Sequence, residues 1–233
     1  NLDPDAAAIV SYAAMDIQQP TSFAQVFPAF WREVELPVYL ENDANLACEG
    51  EAFLRRGAGG AANMLYLSIG SGCGGAVRLD GKLRRGARCR AGEVGAMLLQ
   101  PALGAPGRSA ARETLEDAVC LAALERRFGA ALRDGAQPGE ASAQAMRDYL
   151  CGPLSGAVYS LVMTLDVELC VLAGIVPGAL GVQLCTQVSE ALRAALPEST
   201  PVRVEPSVSA DAGVIGAAAT VFERSLDALL GSG

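Results

Sequence analysis

Residues Met64 to Gly95 read MLYLSIGSGCGGAVRLDGKLRRGARCRAGEVG. The run Met64-Leu65-Tyr66-Leu67-Ser68-Ile69, rich in branched and aromatic residues, predicts a buried strand. In the six residues that follow, Gly70-Ser71-Gly72-Cys73-Gly74-Gly75, four lack a Cβ. The backbone there can turn tightly and bring its N–H groups against a ligand oxygen or another strand. Ala76-Val77-Arg78-Leu79 leads to Asp80-Gly81, a strong two-residue hairpin signal, and to Lys82-Leu83-Arg84 as the return strand. The glycine loop therefore sits inside an antiparallel hairpin. A dinucleotide fingerprint would open a helix, and a P-loop would continue into Gly-Lys-Ser/Thr; neither context is present. Taken alone, the loop reads either as a tight structural turn or as a cradle for phosphate.

Working outward, 233 residues suffice for a substantial core, in one domain or two small ones. With 51% apolar and 19% charged residues, the composition is that of a packed protein and not of a disordered one. Asp166 and Glu168 interrupt the most hydrophobic region, so no membrane partner is expected. Seven cysteines, odd in number and never spaced as CxxC, predict reduced, mostly buried thiols and a cytoplasmic setting. The chain has no histidine, which excludes the Ser-His-Asp triad, the Cys-His dyad and HExxH zinc chemistry. Any acid–base work falls to carboxylates. A formal charge of −8 disfavours a nucleic-acid surface on this piece. One basic cluster, Lys82, Arg84, Arg85, Arg88 and Arg90, reads as a solvated hairpin edge or as a phosphate or partner site.

Upstream, residues 1–20 give no clean period. From Ser22, a plausible helix cap, Phe23, Val26, Phe27, Phe30 and Trp31 recur at helical spacing, with Pro28 as a possible kink, and predict core packing. Leu36 to Leu40 reads as a short strand and Leu46 to Leu54 as a helix. Between them lies Glu41-Asn42-Asp43-Ala44-Asn45, polar groups at a strand end facing a helix start, where open α/β sheets bind ligands. Asn42 or Asp43 could equally be a plain N-cap. Downstream, Gln100 to Ser109 reads as a loop and Arg112 to Phe128 as one strong helix, broken by Asp134 to Gly139. Glu140 to Leu150 and Leu154 to Leu165 read as two helices, and Glu168 to Gly174 as a buried parallel strand. A helix from Gly181 to Leu196, a strand Val202 to Val204 and a helix from Ala212 to Leu230 follow. Strands alternating with helices predict an α/β fold.

In order along the chain, PVYLENDANLACEGE, NMLYLSIGSGCGGAVRLDGKLRRG, AGEVG, LEDAV, VELCVLAG and ADAGVIGAAA resemble the ROK family of bacterial sugar kinases and sugar-responsive repressors. The resemblance implies an actin-like, ribonuclease-H-like fold with a mixed sheet flanked by helices. It places Gly70, Ser71, Gly72 and Gly74 in the second phosphate loop, with Ser71 where threonine is usual. It places Asp43 on the catalytic base, preceded by Asn42, and Glu93 and Glu116 on glutamates that bind sugar hydroxyls. Carboxylates suit that task because they accept hydrogen bonds from adjacent hydroxyls.

The departures from the family pattern bear on function. Gly95-Ala96-Met97 stands where the family has Gly-His-Met, and Gly107 to Thr114 stands where it has its cysteine run. Ala96, Gly107, Ser109 and Thr114 replace the zinc ligands, so no metal site and no zinc are expected. The Asp-x-Gly-Gly-Thr loop of the family's kinases does not occur within residues 1–233, nor does a helix-turn-helix. The resemblance therefore implies a carboxy-terminal sugar-binding and dimerisation lobe, with the amino-terminal lobe and any DNA-binding domain absent from it. Expected first is the sensing part of a transcriptional regulator, a homodimer that binds a sugar or sugar phosphate, needs no cofactor and meets DNA only through a missing domain. The alternative is the lobe of a sugar kinase using ATP and Mg, with Asp43 as base. A scaffold with a decayed site would explain the losses but not the retained Asn42, Asp43, Glu93 and Glu116.

Overall fold

The structure, a computed structural model, describes residues 2–4, 7–9, 17, 19–57, 60–99, 113–129, 132 and 137–231. Among these, three short strands, β1 (Leu2–Asp3), β2 (Ala8–Ile9) and β3 (Thr21–Ser22), form a small antiparallel sheet. Two short helices, α1 (Phe23–Val26) and α2 (Pro28–Glu33), lead to α3 (Asp43–Leu54). The hairpin region forms β4 (Met64–Ile69), β5 (Cys73–Leu79) and β6 (Lys82–Arg84). Helices α4 (Leu115–Val119), α5 (Leu121–Phe128) and α6 (Glu140–Leu165) follow. The last part comprises β7 (Leu169–Ala173), α7 (Ile175–Leu180), α8 (Val182–Ala195), β8 (Arg203–Pro206) and α9 (Ala212–Leu230).

The main sheet has the order β6-β5-β4-β7-β8 and is mixed. Strand β4 pairs antiparallel with β5 (Leu67↔Gly75) and parallel with β7 (Leu67↔Leu172), which in turn pairs parallel with β8. Both faces are covered. Leu65, Leu67, Ile69, Cys170 and Leu172 point into a core completed by helices α4 to α8. The alternate residues Met64, Tyr66, Leu169, Val171 and Ala173 point into a second core with Ala44, Ala47 and Cys48 of α3 and Ala212 of α9. This two-sided burial is why β4 and β7 are almost uninterrupted apolar runs. Helices α3 and α9 touch backbone to backbone: a Cβ on Gly50 would lie 1.9 Å from the Ala212 carbonyl oxygen, and one on Gly216 1.8 Å from that of Leu46.

Several expected elements differ. Leu36 to Leu40 forms no strand; Leu36 is 78% exposed, Pro37 has no N–H to offer a ladder, and no partner strand lies beside it among the described residues. Ser22 does cap α1 through a capping box, but neither α1 nor α2 contains a buried residue. Phe27, Phe30 and Trp31 stay exposed, packing with Phe23, whose ring lies 4.7 Å from that of Phe27. Of the helix expected from Arg112 to Phe128, Arg112 lies outside the described residues, and Leu115 to Phe128 forms two helices parted at Cys120, where the Leu121 N–H donates to the Gly70 carbonyl at 2.8 Å. Conversely, Glu140 to Leu165 is one helix running through Pro153, anchored on both sides of the proline by buried Leu150, Leu154 and Val158. Helix α7 fills the stretch between Gly174 and Gly181, for which the sequence predicted no element.

Candidate functional site

Helix α3 begins as the sequence suggests. Asn42 is its N-cap, the side-chain Oδ1 accepting from the N–H groups of Ala44 (2.9 Å) and Asn45 (3.3 Å). Asp43 is the first helical residue, and its Oδ1 accepts from Ala44 N–H at 2.8 Å. The N-cap is Asn42, and Asp43 stands as a carboxylate at the positive end of the helix.

Asn42, Asp43, Ala44 and Asn45 form one wall of a cleft, Gly74 and Gly75 its floor, and Cys89, Ala91, Gly92 and Glu93 the other wall. Of the candidate residues, Asn42, Asp43, Glu93 and Gly74 are therefore brought together. The cleft is narrow, about 60 Å³. Its floor depends on glycine: a Cβ on Gly92, whose φ is +92°, would lie 2.4 Å from the Gly75 carbonyl oxygen. The segment carrying Glu93 can lie on β5 only because side chains are missing on both.

Glu116 does not line this cleft. Its Oε2 accepts from the Cys73 N–H at 2.7 Å, so it holds the glycine loop by the backbone. Gly70 turns the same loop through an N–H bond to the Gly72 carbonyl at 2.9 Å. Thr114, which the resemblance puts on a zinc position, is committed to α4: its backbone N–H (3.0 Å) and then its hydroxyl (2.7 Å) donate to Asp117 Oδ2 and hold that carboxyl below the usual range, while the hydroxyl accepts from the Asp117 N–H. Gly107 and Ser109 lie outside the described residues. Among the described residues, no group of three His, Cys, Asp or Glu is placed to hold a metal ion. In the basic cluster, Arg84 pairs with Asp80 (2.7 Å) and Arg85 with Glu41 (2.6 Å).

A second cavity, about 540 Å³, opens at the carboxyl ends of β4, β7 and β8, lined among others by Tyr66, Ser68, Gly174, Ile175, Ser207 and Ser209. Sequence reasoning missed these residues. The available signal was their place just beyond parallel strands, where such sheets bind ligands. Burial, then nearby Glu51, pushes the Tyr66 phenol up to about 12, so it remains a hydrogen-bond donor. Glu51 itself is fully buried on α3, accepting from Arg55 Nε (2.9 Å), Val208 N–H (2.9 Å) and the Ser207 hydroxyl. It ties α3 to the rim of this larger cavity.

A model of the ROK family matches residues 8–224. The chain belongs to the ROK family. Among curated ROK relatives, it is 34% identical over 191 residues to the bifunctional enzyme NanE/NanK of Brucella melitensis, covering 78% of this chain and 35% of that protein. It is 40% identical over 96 residues to a glucokinase of Halalkalibacterium halodurans, covering 40% of this chain and 28% of that protein. The matches thus span about a third of those relatives' length. The ROK hexokinase of Thermus thermophilus superposes with a TM-score of 0.71 at 27% identity, over 97% of this chain and 77% of that one. A ROK transcriptional regulator, a homologue of the E. coli MLC protein, shares the fold with a TM-score of 0.68 at 17% identity, over 92% of this chain and 58% of that one. The chain has the α/β, actin-like fold of these ROK proteins, and among its described residues no helix is long and apolar enough to cross a membrane.

The cysteines give a first test. The Cys73 thiol is pushed up to about 12, by burial and then by Glu116, whereas Cys89 is partly exposed at the cleft. Iodoacetamide at mildly alkaline pH is expected to alkylate Cys89 well before Cys73, because the thiolate is the reactive form. Mass spectrometry finding Cys73 modified first would contradict the buried loop.

Proposed function

We propose that this chain provides the sugar-binding site of an ATP-dependent ROK sugar kinase, with Asp43 as general base. The observation that carries this is Asp43, at the start of α3, facing Glu93 across the glycine-floored cleft. The similarity to NanE/NanK, a glucokinase and a hexokinase supports it. A sugar hydroxyl gives its proton to the Asp43 carboxylate as its oxygen bonds to the γ-phosphorus of ATP. The bond from that phosphorus to the β-phosphate bridge breaks, and ADP leaves. Glu93 orients the sugar by accepting hydrogen bonds and Asn42, whose Oδ1 is taken by the cap, by donating from its side-chain amide; Glu116, through Cys73, holds the loop of Gly70, Ser71, Gly72 and Gly74 toward the phosphates. The larger cavity, with its hydroxyls at Tyr66, Ser68, Ser207 and Ser209, suits the nucleoside. Magnesium would be held by nucleotide phosphates and water, with at most a carboxylate of the chain, and would neutralise phosphate charge.

A second reading has its own support: Ala96 and Thr114 stand on zinc positions, Thr114 is spent on a helix cap, and a transcriptional regulator shares the fold. In that case the same cleft senses a sugar without phosphorylating it, in a homodimer that meets DNA through another domain.

Titration calorimetry against aldoses and amino sugars, with parallel measurement of ADP formation, tests both. Replacing Glu93 by alanine is expected to weaken sugar binding on the order of tenfold or more, the loss of one charged hydrogen bond. Equal binding by both proteins would remove Glu93 from the site. Binding without ADP formation would favour the sensor.

A further inference from the structure

We propose that Glu41 is a positioning residue whose carboxylate clamps the Asn42–Asp43 turn to Arg85 and thereby sets the separation of Asp43 and Glu93. The proposal deepens, and rests on, the sugar-site reading above.

The Glu41 side chain is only 9% exposed. A carboxylate so buried must be matched by donors, and both of its oxygens are. Oε1 accepts from the Asn42 N–H at 3.0 Å and from the Asn45 side-chain amide at 2.8 Å. Oε2 accepts from Arg85, whose Nε and Nη2 both approach it to 2.6 Å. Capping of α3 does not call for this arrangement, since Asn42 already supplies the cap. Glu41 instead grips one wall of the cleft through two of its residues and hands the charge to a residue of the other wall's segment.

Arg85 begins that segment. Its carbonyl accepts the Ala91 N–H at 3.0 Å, closing a loop that ends in Gly92, seated on Gly75, and Glu93. From Asp43 to Glu93 the connection outside the sheet thus runs through Asn42, Glu41, Arg85 and Ala91. In a cleft of about 60 Å³, a small displacement of either wall is large relative to the space available.

Because both Arg85 nitrogens meet the same oxygen, a point charge at position 85 suffices, and Arg85→Lys is expected to preserve most turnover. Glu41→Gln keeps an acceptor for Asn42 and Asn45 but loses the ion pair; Arg85→Met loses it from the other side. Each is expected to lower kcat by about tenfold to 10²-fold, the scale of a misplaced reacting group, with KM changed less. The double variant is expected to be no worse than either single one. Multiplicative losses in the double variant, or unchanged kcat in both single variants, would overturn the clamp.

Cys89, on the Arg85–Ala91 loop, gives a readout independent of activity. Its alkylation rate in the unliganded protein is expected to rise several-fold in Glu41→Gln and Arg85→Met alike and to return in Arg85→Lys. If wild-type protein neither binds nor phosphorylates aldoses, the sugar reading fails while a raised Cys89 rate still upholds the clamp. An unchanged rate in both variants overturns the clamp whatever the sugar results.

Discussion

Asp43→Asn is expected to lower sugar phosphorylation by roughly 10²–10⁴-fold, the usual contribution of a positioned general base. Asparagine has the same shape and retains an Oδ1 for the Ala44 N–H, so the first turn of α3 should stay intact. What it lacks is a site for the proton. Sugar affinity should change by about tenfold or less, since one charged acceptor becomes a neutral one. Steady-state ADP formation and calorimetry on the same preparation separate the two effects. Turnover held within a factor of a few would remove Asp43 as the base. Sugar binding in both proteins with turnover in neither would leave the cleft as a sensor.

Gly216→Val is expected to destabilise the protein by about 3 kcal/mol, the upper part of the range for overpacked cores. The new Cβ would meet the Leu46 carbonyl oxygen at 1.8 Å and the Gly50 nitrogen at 2.7 Å. These are backbone atoms of α3 and cannot rotate away, so α3 and α9 must separate. Ala44, Ala47, Cys48 and Ala212 then lose contact in the second core, where packing is as dense as in a crystal. The urea midpoint should fall with the slope unchanged. Gly213→Ala is the control: nothing lies within 4 Å of its Cβ, and alanine is the better helix former. Equal midpoints for Gly216→Val and wild type would show that the helices are not locked at this point. Turnover per folded molecule should also drop, because α3 carries Asp43 at its end.

The elements legible in the sequence were those whose signals are local. Strand β4, the Asp80-Gly81 turn, with φ of +54° and +71°, and the buried β7 lie where pattern and turn chemistry put them. The errors share a cause, namely a partner distant in sequence. The Leu121 N–H goes to Gly70 instead of continuing a helix, and Leu36 to Leu40 finds no strand beside it. The aromatic periodicity from Phe23 to Trp31 marks a face but cannot say what covers it. For the site, Asn42, Asp43, Glu93 and the glycine loop stood out as motifs, whereas Glu116's hold on Cys73 needed coordinates. Glu41 looked like one more polar residue at a helix start, and the hydroxyls of Tyr66, Ser68, Ser207 and Ser209 meet only when the parallel strands align.

The glycine contact between α3 and α9 joins parts of the chain that are synthesised far apart in time. Asp43 leaves the ribosome early, followed by the whole of the five-stranded sheet, and Gly216 comes only afterwards. Until that late helix arrives, the backbone surface of α3 around Leu46 and Gly50 has no partner, while its contacts with β4 and β5 involve only residues already made. A nascent chain that has not yet reached Gly216 therefore already holds the residues that space Asp43 and Glu93, but lacks the helix that closes over α3.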